Sequence, residues 1–140
     1  MKNLRRLAIA ASILVLATAN ISADASQENI KRIRCTCYCE PGTTASGHPT
    51  RGGVIAGRKE DLGKVAALYA IAEDGSIGEF IGYFDFYDTG AGMDSDGDGV
   101  GDTIRSGKSV DVFQPSMDSA VNWIKKYGDY VYIVIIEAQG

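Results

Sequence analysis

Two aspartates stand at the ends of short apolar runs. Asp88 closes Phe80-Ile81-Gly82-Tyr83-Phe84-Asp85-Phe86-Tyr87 and opens Asp88-Thr89-Gly90; Asp111 sits inside Ser109-Val110-Asp111-Val112-Phe113. A carboxylate is rarely buried unless it is paired or hydrogen-bonded. An Asp between two valines is therefore either a satisfied structural group or a carboxyl kept protonated for proton transfer. From this fragment alone, a turn-capping role and a catalytic one are both open.

A third acidic feature lies between the two. Asp94-Ser95-Asp96-Gly97-Asp98-Gly99-Val100-Gly101-Asp102 places side-chain oxygens at loop positions one, three, five and nine (Asp94, Asp96, Asp98, Asp102). Gly99 falls at six, and the Val100 carbonyl at seven. These are the first three-quarters of a calcium loop. Position twelve, where a bidentate Glu would complete it, is Arg105. A calcium site and a plain acidic turn, with each Asp bonding its own backbone, both remain open.

The other reactive residue types are sparse. Cys35, Cys37 and Cys39 alternate, which places them on one face of a strand, where neighbours two apart are too far separated for an easy disulfide. With His48, the only histidine, they could supply four zinc ligands, but the spacing is not that of a zinc knuckle or ribbon. Buried or half-buried thiols without a catalytic role, and a His48 belonging to a polar loop, are the expectation.

These groups need elements to hold them. The N-terminus, with Lys2, Arg5 and Arg6 before the apolar stretch Leu7 to Ala19 and then Ala23-Asp24-Ala25, has the form of a cleaved secretory signal over residues 1–25. The apolar stretch is shorter than the ~20 residues of a membrane span, and no Cys sits at the cleavage site to carry lipid, so no stable membrane anchor is expected. Cleavage removes three positive charges and one negative from a net −4, leaving −6, which argues against nucleic acid as a partner. A secreted, extracellular or wall-associated protein with a polar leader at 26–32 and one domain over 33–140 follows.

Within that domain, strands are expected at Ile33–Cys39, Gly53–Ala56, Val65–Ile71, Phe80–Tyr87, Ser109–Phe113 and Tyr130–Ile136, with Asp74-Gly75 as a hairpin turn. One helix is expected over Met117–Tyr127. Ser116 is its N-cap, Gly128 its stop, and Met117, Ala120, Val121, Ile124 and Tyr127 its buried stripe, with Trp123 at the margin. Short strands with a single helix favour a small β-barrel over an α/β sheet.

The order of landmarks resembles a known family. Thr44-Ala45-Ser46-Gly47, Gly53-Val54-Ile55-Ala56, Leu62-Gly63, Asp88-Thr89-Gly90, Val110-Asp111-Val112-Phe113, and then Ala120 and Trp123 before a closing strand, resemble the three-aspartate (3D) domain across residues 33–138. That family is found in membrane-bound lytic transglycosylase A and in secreted wall-remodelling proteins of spore-forming bacteria. The resemblance implies a six-stranded double-psi β-barrel. It also implies cleavage of the β-1,4 bond between N-acetylmuramic acid and N-acetylglucosamine without water, leaving a 1,6-anhydro sugar, so the partner would be a peptidoglycan glycan strand. By position, Asp111 matches the acid/base and Asp88 the supporting aspartate, with Thr89, Gly90, Thr44 and Ser46 around them. No cofactor is required; the loop spacing, not the resemblance, leaves a structural calcium ion at Asp94, Asp96, Asp98, Val100 and Asp102 open beside the acidic turn. The family's first aspartate, just after the Val-Ala strand, has no counterpart at Gly57-Arg58-Lys59; the nearest acids are Glu60 and Asp61.

Tyr83, Tyr87 and Phe113 are candidates for a sugar-facing platform. A non-catalytic wall-glycan binding module and an ordinary hydrolase using both aspartates with water are the other two function classes to be weighed.

Overall fold

A computed structural model describes residues 29–137. The segment 1–25, expected to be a secretory signal, lies outside them. Six strands and one helix follow: β1 (Lys31–Tyr38), β2 (Val54–Gly57), β3 (Val65–Ile71), β4 (Ile77–Thr89), β5 (Ser109–Phe113), α1 (Met117–Tyr127) and β6 (Tyr130–Ile136). A single 3-10 turn, Lys59–Asp61, joins β2 to β3. No described helix is long and apolar enough to cross a membrane.

The strands form one sheet in the order β1-β5-β2-β4-β3-β6, and β6 pairs back onto β1 to close it. β1/β5 and β2/β4 run parallel and the other four pairs antiparallel. Closure leaves no unpaired edge, which is how a short, strongly apolar strand such as Tyr130–Ile136 avoids becoming an aggregation template. Ile33, Cys35, Ile55, Ala66, Leu68, Phe86, Val110, Val112, Val131 and Ile133 fill the interior, with Trp123 of α1. Phe86, Ile55, Leu68 and Ile133 are almost wholly removed from water, each contributing about 1.5–3 kcal/mol of transfer free energy.

Two expectations shift at the start of the domain. The leader does not reach residue 32: Lys31 and Arg32 are already paired with Ile133 and Tyr132 of β6, so hydrogen-bonding, not polarity, sets where the strand begins. β1 ends at Tyr38, one residue before Cys39. β4 is longer than its apolar run, because the hairpin at Asp74-Gly75 keeps pairing down to Ile77 and the parallel contact with β2 carries it to Thr89.

The helix has the expected bounds. Ser116 caps it, its hydroxyl accepting from the Ser119 N–H, while the Ser119 hydroxyl accepts from the Ser116 N–H. Gly128 follows with φ +77°, a left-handed value that suits glycine. Its buried face is rotated from the expected one. Ala120 and Trp123 are buried and Ile124 and Tyr127 half-buried, whereas Met117 and Val121 are 66% and 43% exposed. Trp123 takes the contact because its ring meets Phe84 edge-on at 5.8 Å and Tyr127 at 4.8 Å.

Candidate functional site

β2 lies between the strands that carry the two aspartates. Ala56 of β2 is the register partner of Asp88 on β4 and of Asp111 on β5, and Thr36 of β1 is the partner of Asp111 on the other side. Residues directly opposite one another project from the same face of a sheet. Thr36, Asp111, Ala56 and Asp88 thus form one row across four strands. Their neighbours Cys35, Val110, Val112 and Ile55 point the other way, into the core.

A bulge makes the row possible. Phe86 faces the core opposite Ile55, so strict alternation would send Asp88 inward too. The register instead jumps between Ile55/Ala56, from Phe86 to Asp88, leaving Tyr87 without a partner in that pair. One extra residue reverses the face of everything after it. Asp88 emerges beside Asp111, and Tyr87 lies against the His48 ring, stacked at 3.9 Å.

The row opens into a cleft of about 320 Å³ lined by Tyr38, Glu40, Pro41, Gly42, Thr43, Thr50, Ala56, Asp88, Thr89, Gly90 and Asp111. Small side chains on β2 and the Thr89-Gly90 turn leave the space. Asp111 is half-buried, and Thr36 Oγ1 donates to its Oδ1 at 2.9 Å. Burial pushes its carboxyl above the ordinary range; the Thr36 bond opposes this, and the Asp88 charge adds a smaller push in the same direction. Asp88 is differently placed. Its Oδ1 accepts from the backbone N–H groups of Ala45 and Thr89, each at 2.9 Å, and its Oδ2 accepts from the Tyr38 hydroxyl at 3.1 Å. Burial and the Asp88 charge raise the Tyr38 phenol, so it stays a donor. One carboxyl is thus suited to moving a proton, the other to standing as an oriented acceptor.

The supporting groups differ from those expected. Thr44 and Ser46 do not reach either aspartate: their hydroxyls meet each other at 3.3 Å, and Ser46 Oγ donates to the Tyr87 carbonyl and meets His48 Nδ1 at 2.9 Å. It is the N–H of Ala45, between them, that holds Asp88, so this loop contributes backbone where side chains were expected. Thr89 and Gly90 do line the cleft. The aromatic platform is also relocated. Tyr83 lies beside Phe80 along β4, Phe113 is buried edge-on against Tyr38, and Tyr38 is the aromatic that enters the cleft. Tyr38 and Thr36 were missed because they alternate with the cysteines on β1, and only the parallel pairing with β5 brings them to Asp111 and Asp88.

Asp61, the acid nearest the family's first aspartate, is occupied elsewhere. Its buried carboxylate accepts from Arg58 Nε at 2.9 Å, Arg58 Nη2 at 3.1 Å and Lys64 Nζ at 3.3 Å. Burial alone would raise it, but the Arg58 and Lys64 bonds outweigh burial and hold it below the usual carboxylate range. It takes no part in the cleft. All three cysteines are free, Cys35 buried and the other two half-buried. Burial, with the Asp111 and Cys39 charges added, pushes the Cys37 thiol up to about 12, and burial lifts Cys35 further, so both stay protonated and inert near neutral pH.

In the acidic loop, carboxylate oxygens of Asp94, Asp96 and Asp102 lie within 4.8 Å of one another, the one such cluster among the described residues. Asp94 accepts from the N–H of Gly99 and of Gly97, both at 2.7 Å, and these bonds, Gly99 foremost, hold its carboxyl below the usual range. Asp98 Oδ1 accepts from Val100 N–H. An all-oxygen donor set of this kind suits a hard cation. Arg105 Nη2 donates to the Gly101 carbonyl at 2.7 Å instead of supplying a ligand.

No family model, curated protein or solved structure matches this chain.

Proposed function

We propose that the cleft cleaves peptidoglycan glycan strands as a secreted lytic transglycosylase, with Asp111 as general acid and base. The observation that carries the reading is a half-buried carboxyl with a raised pKa, in an open cleft, facing a second carboxylate held by three donors. Protonated Asp111 gives its proton to the glycosidic oxygen as the C1–O bond breaks through an oxocarbenium-like state. The muramic acid 6-hydroxyl then attacks C1, and its proton returns to Asp111. Bond making and breaking balance without water. Asp88, fixed by Tyr38 and two backbone N–H groups, would face the positive charge that develops at C1.

The closed six-stranded sheet with two parallel pairs supports reading the fold as a double-psi barrel. A calcium ion at Asp94, Asp96, Asp98, Asp102 and the Val100 carbonyl would stiffen the loop that leads into β5. The alternative, a non-catalytic glycan-binding module, is favoured by one observation: Asp61 is locked in ion pairs, so the first family aspartate has no stand-in. Mass spectrometry of purified peptidoglycan digested by the secreted protein separates the readings. A 1,6-anhydro product supports the transglycosylase, a reducing-end product the hydrolase, and binding without cleavage the module.

A further inference from the structure

A second cleft of about 350 Å³ adjoins the first. Ala45, Gly57, Lys59, Leu62, Thr89, Gly90 and Arg105 line it, so Thr89 and Gly90 form a wall common to both. In a chain of net charge −4, it places two cations beside the aspartate site. Neither has an acidic partner among the described residues. Arg51, Arg58 and Lys64 are all ion-paired, whereas Arg105 donates only to the Gly101 carbonyl and the Lys59 ammonium makes no hydrogen bond or ion pair. Glu60, next to Lys59, turns to Arg58 instead.

Gly57 contributes only backbone to this cleft: a Cβ there would point inward and collide with the buried Phe86 ring. Arg105 stands at position twelve of the acidic loop, where a calcium loop would carry Glu. The residue that departs from that pattern is the one that lines the cleft.

We propose that this cleft is an anion subsite that binds a carboxylate carried by the same ligand whose sugar lies over Asp88 and Asp111. The inference rests on the glycan reading for the sugar, but not for the charge. Leu62 and Ala45 would take the apolar part of the acidic substituent, and Lys59 and Arg105 its carboxylate. In a glycan strand that carboxylate is either the free lactyl acid of a bare muramic residue or the acid of a peptide attached to it.

The test follows backbone amide NMR shifts of the residue 26–140 protein during titration with three probes. These are N-acetylglucosamine, N-acetylmuramic acid, and N-acetylmuramoyl-L-alanyl-D-isoglutamine. The acidic probes should shift the amides of Lys59, Leu62 and Arg105 and bind about tenfold more tightly than the neutral sugar. That preference should shrink in salt and disappear in Lys59→Gln with Arg105→Gln, while Lys59→Arg retains it. The stronger of the two acidic probes identifies which carboxylate the cleft prefers. Equal affinity for acidic and neutral probes, no response to any probe, or a preference that survives the double substitution overturns the proposal. Shifts at Lys59 and Arg105 with none at Asp88 or Asp111 would keep the anion subsite and remove the glycan reading.

Discussion

Asp111→Asn tests the assignment of the proton-moving group in two independent ways. The substitution keeps the side-chain shape, and the Asn carbonyl oxygen still accepts from the Thr36 hydroxyl, now 2.9 Å from Oδ1. What is lost is the ability to give and take a proton. General acid–base catalysis of this kind is worth about 10²–10⁴-fold, so release of muropeptides should fall by at least about 100-fold, equivalent to about 2.7 kcal/mol in the barrier. Stability should move the other way. The folded-state pKa of Asp111 is raised, mainly by burial, so ionisation favours the unfolded chain. Below the unfolded-state pKa both states are protonated and the charge makes no difference. As pH rises past it, the unfolded state ionises first, and wild type loses stability until the folded pKa is passed. The variant escapes that loss. Its melting temperature should therefore match wild type in acid and exceed it at neutral pH, as read by thermal melts from pH 3 to 8. Full turnover in the variant would refute the catalytic role, and a variant less stable at neutral pH than in acid, relative to wild type, would refute the burial argument.

The remaining expectations concern neighbouring groups. Asp88→Asn removes a charge that raises Asp111, so the alkaline limb of the pH–rate profile, where the general acid is lost, should move to lower pH; an unmoved limb would show that the two carboxyls do not interact. Asp61→Asn removes the buried carboxylate that Arg58 and Lys64 bond, though both partly exposed cations keep Glu60 or Glu137, and should cost about 1–3 kcal/mol in chemical denaturation. Because Asp61 is depressed, its contribution is present above the unfolded-state pKa and lost as pH falls through the folded one, so the penalty should shrink in acid; a penalty constant with pH would refute the ion-pair account. If the 94–102 loop takes calcium, affinity should lie in the range of about 10⁻⁴–10⁻³ M, and millimolar calcium should raise the melting temperature relative to chelator. No heat in titration calorimetry and no thermal shift would leave that loop as an acidic turn.

Local chemistry made most of the elements legible. Val65–Ile71, Ser109–Phe113, Met117–Tyr127 and Tyr130–Ile136 have the bounds that alternation, apolar run length and the Ser116 and Gly128 caps imply. Asp111 could be singled out because a carboxyl between two valines must be satisfied or perturbed wherever the strand lies. The site itself is another matter, since it depends on pairings between residues tens of positions apart. Thr36 meets Asp111 only through the parallel β1/β5 register, and Tyr38 meets Asp88 across an interval of 50 residues. The face of Asp88 depends on a bulge opposite Ile55 and Ala56, which no pattern within β4 encodes: its alternation with Phe84 and Phe86 points the wrong way. The same holds for α1, where composition admits several apolar stripes and the position of Phe84 selects the one through Trp123. Periodicity is a property of neighbours along the chain, whereas register, bulges and clefts are settled by which distant strand supplies the hydrogen bonds.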